Sequence, residues 1–180
     1  MKHAVYKIFF AWEHEKEENW LNEMSAKGLQ LVNIGFCRYV FEDTEPGSYN
    51  YRIELLNNLS SHAESIAYIR FLEETGVEHI GSYFRWVYFR RKTADGPFNI
   101  YSDLQSKITH YRRILYLLLG ISPLIIFNLF NFLPRVLSSG RFSDYLLCFL
   151  LLCFGILIGK GIFSLATKIR QLKVETSITE

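Results

Sequence analysis

Cysteines, glycine loops and catalytic motifs are scarce in this chain, and their scarcity argues against several classes of function. The three cysteines, Cys37, Cys148 and Cys153, form no CxxC pair, which argues against a zinc site and against a disulfide framework. An unpaired Cys37 suits a reducing compartment. The sequence has no phosphate-binding glycine loop, and no Ser/His/Asp or Cys/His arrangement has a recognisable local motif. We therefore expect a protein that is not an enzyme and that needs no cofactor or metal.

Long hydrophobic runs, in contrast, dominate the C-terminal part of the chain. Residues 114–133 contain no charged side chain, and as a helix they would be about 30 Å long, the thickness of a bilayer's hydrocarbon core. A second run, residues 145–166, is interrupted only by Lys160. Residues 134–144 between them are polar and predict a turn. The pattern predicts a transmembrane helical hairpin, residues 114–166; a buried helix pair in a soluble protein is the alternative.

The distribution of basic residues predicts how this hairpin is oriented. Lysine and arginine are more frequent beside its two ends than in its turn, which favours cytoplasmic ends. Residues 1–10 are too short and too interrupted for a signal peptide. The prediction is a multi-pass protein of the cell membrane with cytoplasmic N- and C-termini. The basic residues are Lys107, Arg112 and Arg113 before the hairpin, Lys168, Arg170 and Lys173 after it, and Arg135 and Arg141 in the turn.

Overall charge gives no reason to expect a nucleic-acid partner, because the formal net charge is only +2. A basic cluster, Arg90, Arg91 and Lys92 with Arg85 nearby, precedes the hairpin. Beside a membrane such a cluster suits anionic lipid headgroups better than DNA. The predicted partner is therefore the lipid bilayer, with no direct contact to nucleic acid.

Small and polar residues within the hydrophobic runs indicate helix contacts. Gly155 and Gly159 form a GxxxG pair, which lets another helix backbone approach closely. That helix is either the first span or the span of a second copy, which would give a homodimer. Asn128 and Asn131 are predicted to be interhelical hydrogen-bond partners or interface residues, and not a transport site.

The N-terminal half contains a weak internal repeat. Residues 6–8 match residues 51–53, residues 27–29 match residues 75–77, and residues 38–41 match residues 85–88. Each half reads as strand, helix, strand, strand. The predicted fold class is α+β: a duplicated βαββ unit with an antiparallel sheet and two helices on one face, followed by the hairpin. A ferredoxin-like fold is the alternative. The predicted divisions are a soluble domain (1–92), a linker (93–113), two spans (114–133 and 145–166) and a cytosolic tail (167–180).

Aromatic residues are the one clear excess, with 15 Phe, 11 Tyr and 3 Trp. Strand alternation places Tyr39 with Phe41 on one face, and Trp86 with Tyr88 on another. These side chains either form the core or line a groove for an apolar or cationic ligand, with Glu54 or Glu42 as the charge partner. The candidate ligand-binding residues are Tyr39, Tyr51, Glu54, Trp86 and Tyr88.

Histidines offer little support for metal binding. His14 and Glu18 are four residues apart on one predicted helix face, but no third ligand accompanies them. A solvated acidic face near the start of the helix explains the run from Glu13 to Glu18 better. His79, on a predicted strand, is interpreted as structural.

One pattern resembles a known family. The segment Phe9–Trp12, followed by Glu17, Trp20, Leu21, Met24, Gly28 and Leu31, resembles a family of bacterial membrane proteins, mainly from Firmicutes, that is defined only as a domain of unknown function. The resemblance implies a soluble domain followed by paired membrane spans, and genes that are often adjacent to those of PadR-type repressors. It implies no activity and no site residues.

The combined prediction is a non-enzymatic, membrane-anchored cytosolic module that binds a ligand or a protein partner and acts in regulation, with a PadR-type repressor as one candidate partner. The alternative is an accessory subunit of a larger membrane complex, such as an exporter, which would dock through Gly155 and Gly159.

Overall fold

The computed structural model describes residues 2–101, 103–139 and 141–179, and the chain divides into two units, Met1–Ser102 and Asp103–Glu180. The first unit contains six strands and two α-helices within these described residues. The second contains two long helices. The elements in chain order are β1 (Lys2–Tyr6), α1 (His14–Ala26), β2 (Leu29–Gly35), β3 (Arg38–Asp43), β4 (Tyr49–Leu55), α2 (Ala63–Glu74), β5 (Glu78–Tyr83), β6 (Trp86–Lys92), α3 (Leu104–Ser139) and α4 (Phe142–Thr179).

The first unit is a duplicated βαββ fold, which confirms the predicted α+β class and the order of elements. Its strands form two antiparallel sheets of three strands, with orders β1–β3–β2 and β4–β6–β5. Both sheets have the same irregularity at the same place: the register shifts between Leu31 and Asn33 in β2, and between His79 and Gly81 in β5. This shared bulge supports the internal duplication more strongly than the letters of the sequence do.

After the bulge, the structural alignment of the two repeats differs by one residue from the alignment predicted from their letters. Arg38 pairs with Gly35 across the first hairpin turn, and Trp86 pairs with Tyr83 across the second. Trp86 is therefore the counterpart of Arg38, a position that the sequence alignment gives to Arg85. Because side chains alternate along a strand, a shift of one residue exchanges the two faces of the sheet.

In the structural alignment, the same face of each sheet packs on the helix of its own repeat. In the first sheet Tyr39 and Phe41 pack on α1, with Leu21 of that helix in the same buried cluster. Their counterparts in the second sheet, Val87 and Phe89, pack in a separate cluster with α2. The other face of the second sheet contributes Tyr51, Ile53 and Tyr88 to the cluster that contains Leu21. Helix α1 thus packs against both sheets, and α2 packs on the opposite face of the second sheet.

Helix α1 also covers the open edge of the second sheet. Strand β4 is an edge strand, whose outward N–H groups would otherwise lack partners. The backbone N–H groups of Ile53, Tyr51 and Tyr49 donate to Glu18 Oε1 (2.8 Å), Asn22 Oδ1 (2.8 Å) and Ser25 Oγ (3.2 Å). Acceptors that are four and three residues apart on the helix thus lie opposite the N–H groups of alternate residues on the strand. The first repeat closes the edge of the second.

The second unit is a hairpin of two helices. The segments Leu104–Ser138 and Phe142–Thr176 are each long enough and apolar enough to span a membrane. With 35 residues each, they are about 50 Å long, which exceeds the hydrocarbon thickness of about 30 Å. Both helices extend into the predicted polar turn, of which Gly140 lies outside the described residues. The predicted linker is divided, since Phe98 is buried beside α2 and α3 begins at Leu104.

Polar groups within these helices are satisfied locally. Pro123 cannot donate to the carbonyl of Leu119, and the hydroxyl of Ser122 donates to that oxygen instead, at 2.9 Å. The prediction that Asn128 and Asn131 are interhelical hydrogen-bond partners or interface residues stays a prediction. Their amides donate to the carbonyls one turn earlier in their own helix, at 2.7 Å.

Replacing Asn22 tests the closure of the edge by α1. Asn22→Ala leaves the Tyr51 N–H without its acceptor, and we expect a loss of about 1 kcal/mol in unfolding free energy. The measurement is denaturant unfolding of the full chain in a neutral detergent. The matched control is Asn19→Ala, at an exposed position of the same helix, which should change stability by less than about 0.5 kcal/mol. Equal effects of the two substitutions would contradict the role given to Asn22.

Candidate functional site

A cavity of about 130 Å³ opens between the two repeats of the first unit. Its inner wall consists of buried side chains from α1, β3 and β6, chiefly Glu17, Tyr39 and Tyr88. Trp86 and His14 complete that wall, with their ring centroids 6.0 Å apart. The outer part is lined by residues that solvent reaches, among them Phe10, Phe36 and Tyr83. The site therefore has a polar floor and an aromatic entrance.

Glu17 is the polar group at that floor, and it joins the two repeats. Its side chain is 7 % exposed. One carboxylate oxygen, Oε1, accepts a hydrogen bond from the hydroxyl of Tyr39 in the first sheet and another from the hydroxyl of Tyr88 in the second, each at 2.7 Å. Both donors are buried. A single acceptor atom thus holds a tyrosine from each repeat.

Burial sets the electrostatics of this group. Loss of solvent raises the pKa of Glu17, and the two tyrosine hydroxyls offset part of that rise. Burial and the neighbouring carboxylate both raise the pKa of Tyr39 and of Tyr88, so the phenols remain protonated donors. The arrangement provides one desolvated acid, which two tyrosine hydroxyls hold in place, and aromatic walls. These are groups that hold a ligand in one orientation.

The electrostatic surroundings of Glu17 include one lysine at the cavity. In the described part of the chain, no lysine, arginine or histidine forms an ion pair with Glu17. Lys7 lines the cavity, and its ammonium lies 4.6 Å from the centroid of the Trp20 ring and 4.9 Å from that of Phe9. These contacts are cation–π interactions, and they leave the acid without a cationic partner.

The structure brings three of the five candidate ligand-binding residues together. Tyr39, Trp86 and Tyr88 line the cavity. Tyr51 lies deeper in the shared core, where its hydroxyl accepts from the Leu31 N–H at 2.9 Å. Glu54 lies on the other face of β4, where it accepts from the Tyr68 hydroxyl of α2 at 2.7 Å. Ligand binding by any of them stays a prediction.

The remaining candidates lie outside this cavity. Glu42 pairs with Lys2 at 3.3 Å. Glu18 accepts a hydrogen bond from the β4 backbone, and the described residues contain no group of three His, Cys, Asp or Glu side chains placed to hold a metal ion. His79 Nε2 lies 2.9 Å from Ser82 Oγ. In the second unit, Gly155 and Gly159 line an apolar groove between α3 and α4.

Sequence reasoning missed Glu17 because it stands in an acidic run that resembles a solvated helix face. The missed signal is its spacing: His14, Glu17, Leu21 and Ser25 follow one another by three, four and four residues, and all four are buried. A carboxylate on the stripe that contains Leu21 must face the core. The aromatic entrance was missed because its residues are scattered over two loops and the end of β5.

The comparisons with known proteins identify a family and no function. The profile of a family described as "Protein of unknown function (DUF2812)" matches residues 13–122, more than half of the chain. The chain belongs to this family. The match begins just before α1, covers the rest of the first unit and ends within α3. A search of curated proteins and a search of solved structures each gave no match.

The pH dependence of stability in the Glu17→Gln variant tests whether the Glu17 carboxylate is desolvated. Because the folded-state pKa lies above the ordinary 4.5, the folded state binds this proton more tightly than the unfolded state. The wild type therefore loses stability as pH rises from 4.5 through the raised pKa. Glu17→Gln keeps an acceptor oxygen but has no such proton. Its thermal midpoint relative to wild type should rise across that interval.

The control for this titration is Glu23→Gln, at an exposed position of the same helix. Its midpoint relative to wild type should stay level over the same range. A midpoint difference for Glu17→Gln that stays level, or that falls with pH, would contradict a desolvated carboxylate.

Proposed function

We propose that this protein is a non-enzymatic regulatory module, anchored in the cell membrane, that binds a small ligand in the cavity at Glu17. The observation that carries the proposal is the buried carboxylate at the cavity floor. Ionised groups are expensive to bury unless a charge partner compensates them. An acid that faces a cavity without such a partner is a common feature of binding sites.

The position of the cavity supports a regulatory role over a purely structural one. It lies where the two repeats meet, and its acid bonds to one residue of each. A ligand that competes for Glu17 would change the contacts of both repeats at once. Occupancy can then be transmitted to the outer surface of the module, where a partner such as a PadR-type repressor would detect it.

The membrane anchor in this proposal is the α3–α4 hairpin. Its length and apolar character support two crossings. The excess of lysine and arginine beside its ends supports cytoplasmic N- and C-termini. Under this topology the first unit samples the cytosol next to the inner leaflet, a suitable place to detect compounds that accumulate in membranes.

Filling the cavity tests the binding function. Ala11 lines the cavity, and Ala11→Phe adds a ring to its wall. A panel of small molecules of varied charge is screened by thermal midpoint on the full chain in neutral detergent. We expect some compounds to stabilise the wild type and to lose that effect on Ala11→Phe. The control, Ala26→Phe at an exposed position of α1, should respond as wild type does.

Two outcomes of this screen would count against the proposal. One is a panel that leaves the midpoint of the wild type unchanged throughout. The other is an equal response of wild type and Ala11→Phe, which would place binding outside the cavity.

An accessory role in a larger membrane complex, such as an exporter, is the second candidate. A side chain at Gly155 would contact Ile125 of α3 at 3.6 Å, whereas a side chain at Gly159 would meet no atom within 4 Å. Gly155 thus serves packing inside the hairpin, and Gly159 leaves space for a helix of another subunit or of a second copy.

Substitution of that glycine separates this candidate from the first. Gly159→Leu should remove copurifying subunits in mild detergent, or dissociate a homodimer, whereas ligand binding should persist. The control is Gly120→Leu on α3, where a side chain also meets open space. Equal composition of the three preparations would remove the support for docking at Gly159.

A further inference from the structure

The two β-hairpin turns of the first unit carry aromatic residues in an unusual position. Each turn has two residues, Phe36–Cys37 between β2 and β3 and Phe84–Arg85 between β5 and β6. Turns of this kind favour Gly, Asn or Asp. Both turns have phenylalanine at their first position instead. These side chains, Phe36 and Phe84, are 74 % and 72 % exposed. The same residue type therefore stands exposed at the same position of both repeats.

The backbone conformation shows that residues other than glycine have an energetic cost in these turns. Phe84 has φ = +58° and Cys37 has φ = +53°, a left-handed conformation that is rare for side chains of this size. A conformation of this kind costs on the order of 1 kcal/mol or more and is frequent at functional sites. Glycine at either position would relieve the strain.

One of these aromatic residues lies at the entrance of the Glu17 cavity, and the other lies next to that entrance. Phe36 lines the cavity, as do Tyr83 and Phe10. The Tyr83 ring lies 5.8 Å from the Phe36 ring and 5.8 Å from the Phe84 ring, measured between centroids. We call Phe10, Phe36, Tyr83 and Phe84 the aromatic rim. An exposed apolar group of this kind around a cavity indicates contact with an apolar ligand.

We infer that the site binds an amphipathic cation, such as a quaternary ammonium compound, with its charged head at Glu17 and its apolar part on the aromatic rim. This inference rests on the proposed function and names the ligand class for the same cavity. A cavity of about 130 Å³ is smaller than a typical site for a drug-sized molecule. It accepts a compact head, and the remainder of the ligand lies outside, where the rim is.

The negative charge of Glu17 determines which head group of a ligand is favoured. Glu17 repels an anion, and an uncharged head leaves the carboxylate desolvated and unpaired. A cation supplies the missing charge partner and meets the aromatic faces of the wall favourably. Lys7 demonstrates this preference, because its ammonium already lies over two aromatic rings at the cavity. The tyrosine hydroxyls at Oε1 hold the acid in place and leave its second oxygen for the ligand.

The experiment compares four probes on the full chain in neutral detergent by isothermal titration calorimetry. Benzyltrimethylammonium has both the cationic head and the apolar part. Tetramethylammonium has the head alone, phenylmethanesulfonate has the apolar part with a negative charge, and benzyl alcohol has it with no charge. We expect benzyltrimethylammonium to bind most tightly, tetramethylammonium about tenfold more weakly, and the other two at least tenfold more weakly than tetramethylammonium.

Two variants test where the cationic head and the apolar part of the probe bind. Glu17→Gln should weaken both ammonium probes about tenfold or more, and Glu23→Gln should leave them unchanged. Phe36→Ser should weaken benzyltrimethylammonium about fivefold and change tetramethylammonium by less than twofold. The second variant lies in a solvent-exposed turn, so it keeps the test valid if Glu17→Gln folds poorly.

The results separate this inference from the proposed function. Binding of the sulfonate or the alcohol as tightly as benzyltrimethylammonium, blocked by Ala11→Phe, would overturn the cation and leave the binding cavity intact. The same holds if none of the four probes binds while other compounds stabilise the wild type and not Ala11→Phe. Failure of every compound on wild type would overturn both.

Discussion

Helix α1 is shared by two repeats that each need it, and the rest of the first unit depends on this sharing. The helix covers its own sheet through Leu21 and Trp20. It also supplies the acceptors for three backbone N–H groups at the edge of the other sheet. Separating the repeats would expose an apolar core and an unpaired strand edge together. The duplicated chain is therefore one cooperative body, although each repeat has a complete set of elements.

The cavity follows from an asymmetry within this duplication. Tyr39 and Tyr88 both bond to Glu17, yet they are not equivalent positions, because they lie on opposite kinds of face in their sheets. A symmetric pair of repeats would place α1 and α2 alike and would leave no shared acid. Packing α1 against both sheets produces a wall with contributions from both repeats. The strained turns then place Phe36 at its entrance and Phe84 beside Tyr83.

Several parts of the family pattern now have physical reasons. Leu21 is fully buried in the shared core. Gly28 ends α1 with φ = +81°, and a side chain there would approach the Thr44 carbonyl to 2.9 Å, so no other residue fits. Glu17 joins the two repeats, because its carboxylate accepts hydrogen bonds from Tyr39 and Tyr88.

Much of this architecture could be predicted from the sequence, because it depends on local patterns. Apolar runs of helical length predicted the hairpin, and strand and turn signals predicted both βαββ units. The site could not be predicted in the same way. The letter match between the repeats is off by one residue at β6, and it therefore assigns Trp86 and Tyr88 to the face that Val87 and Phe89 occupy in the structure. Tyr51 and Glu54 seemed equally suitable as ligand contacts, and only tertiary packing separates them from the cavity.

Glu17 itself can be observed directly by carbon-13 NMR of its side-chain carboxyl in the full chain, with pH as the variable. The account predicts titration above the ordinary glutamate range without ligand. It also predicts a shift of the midpoint to lower pH when benzyltrimethylammonium is added, because an adjacent cation favours the ionised form. A Glu17 carboxyl that titrates at its ordinary pKa and does not respond to the cation would contradict the central claim, that this acid is the desolvated floor of a ligand site.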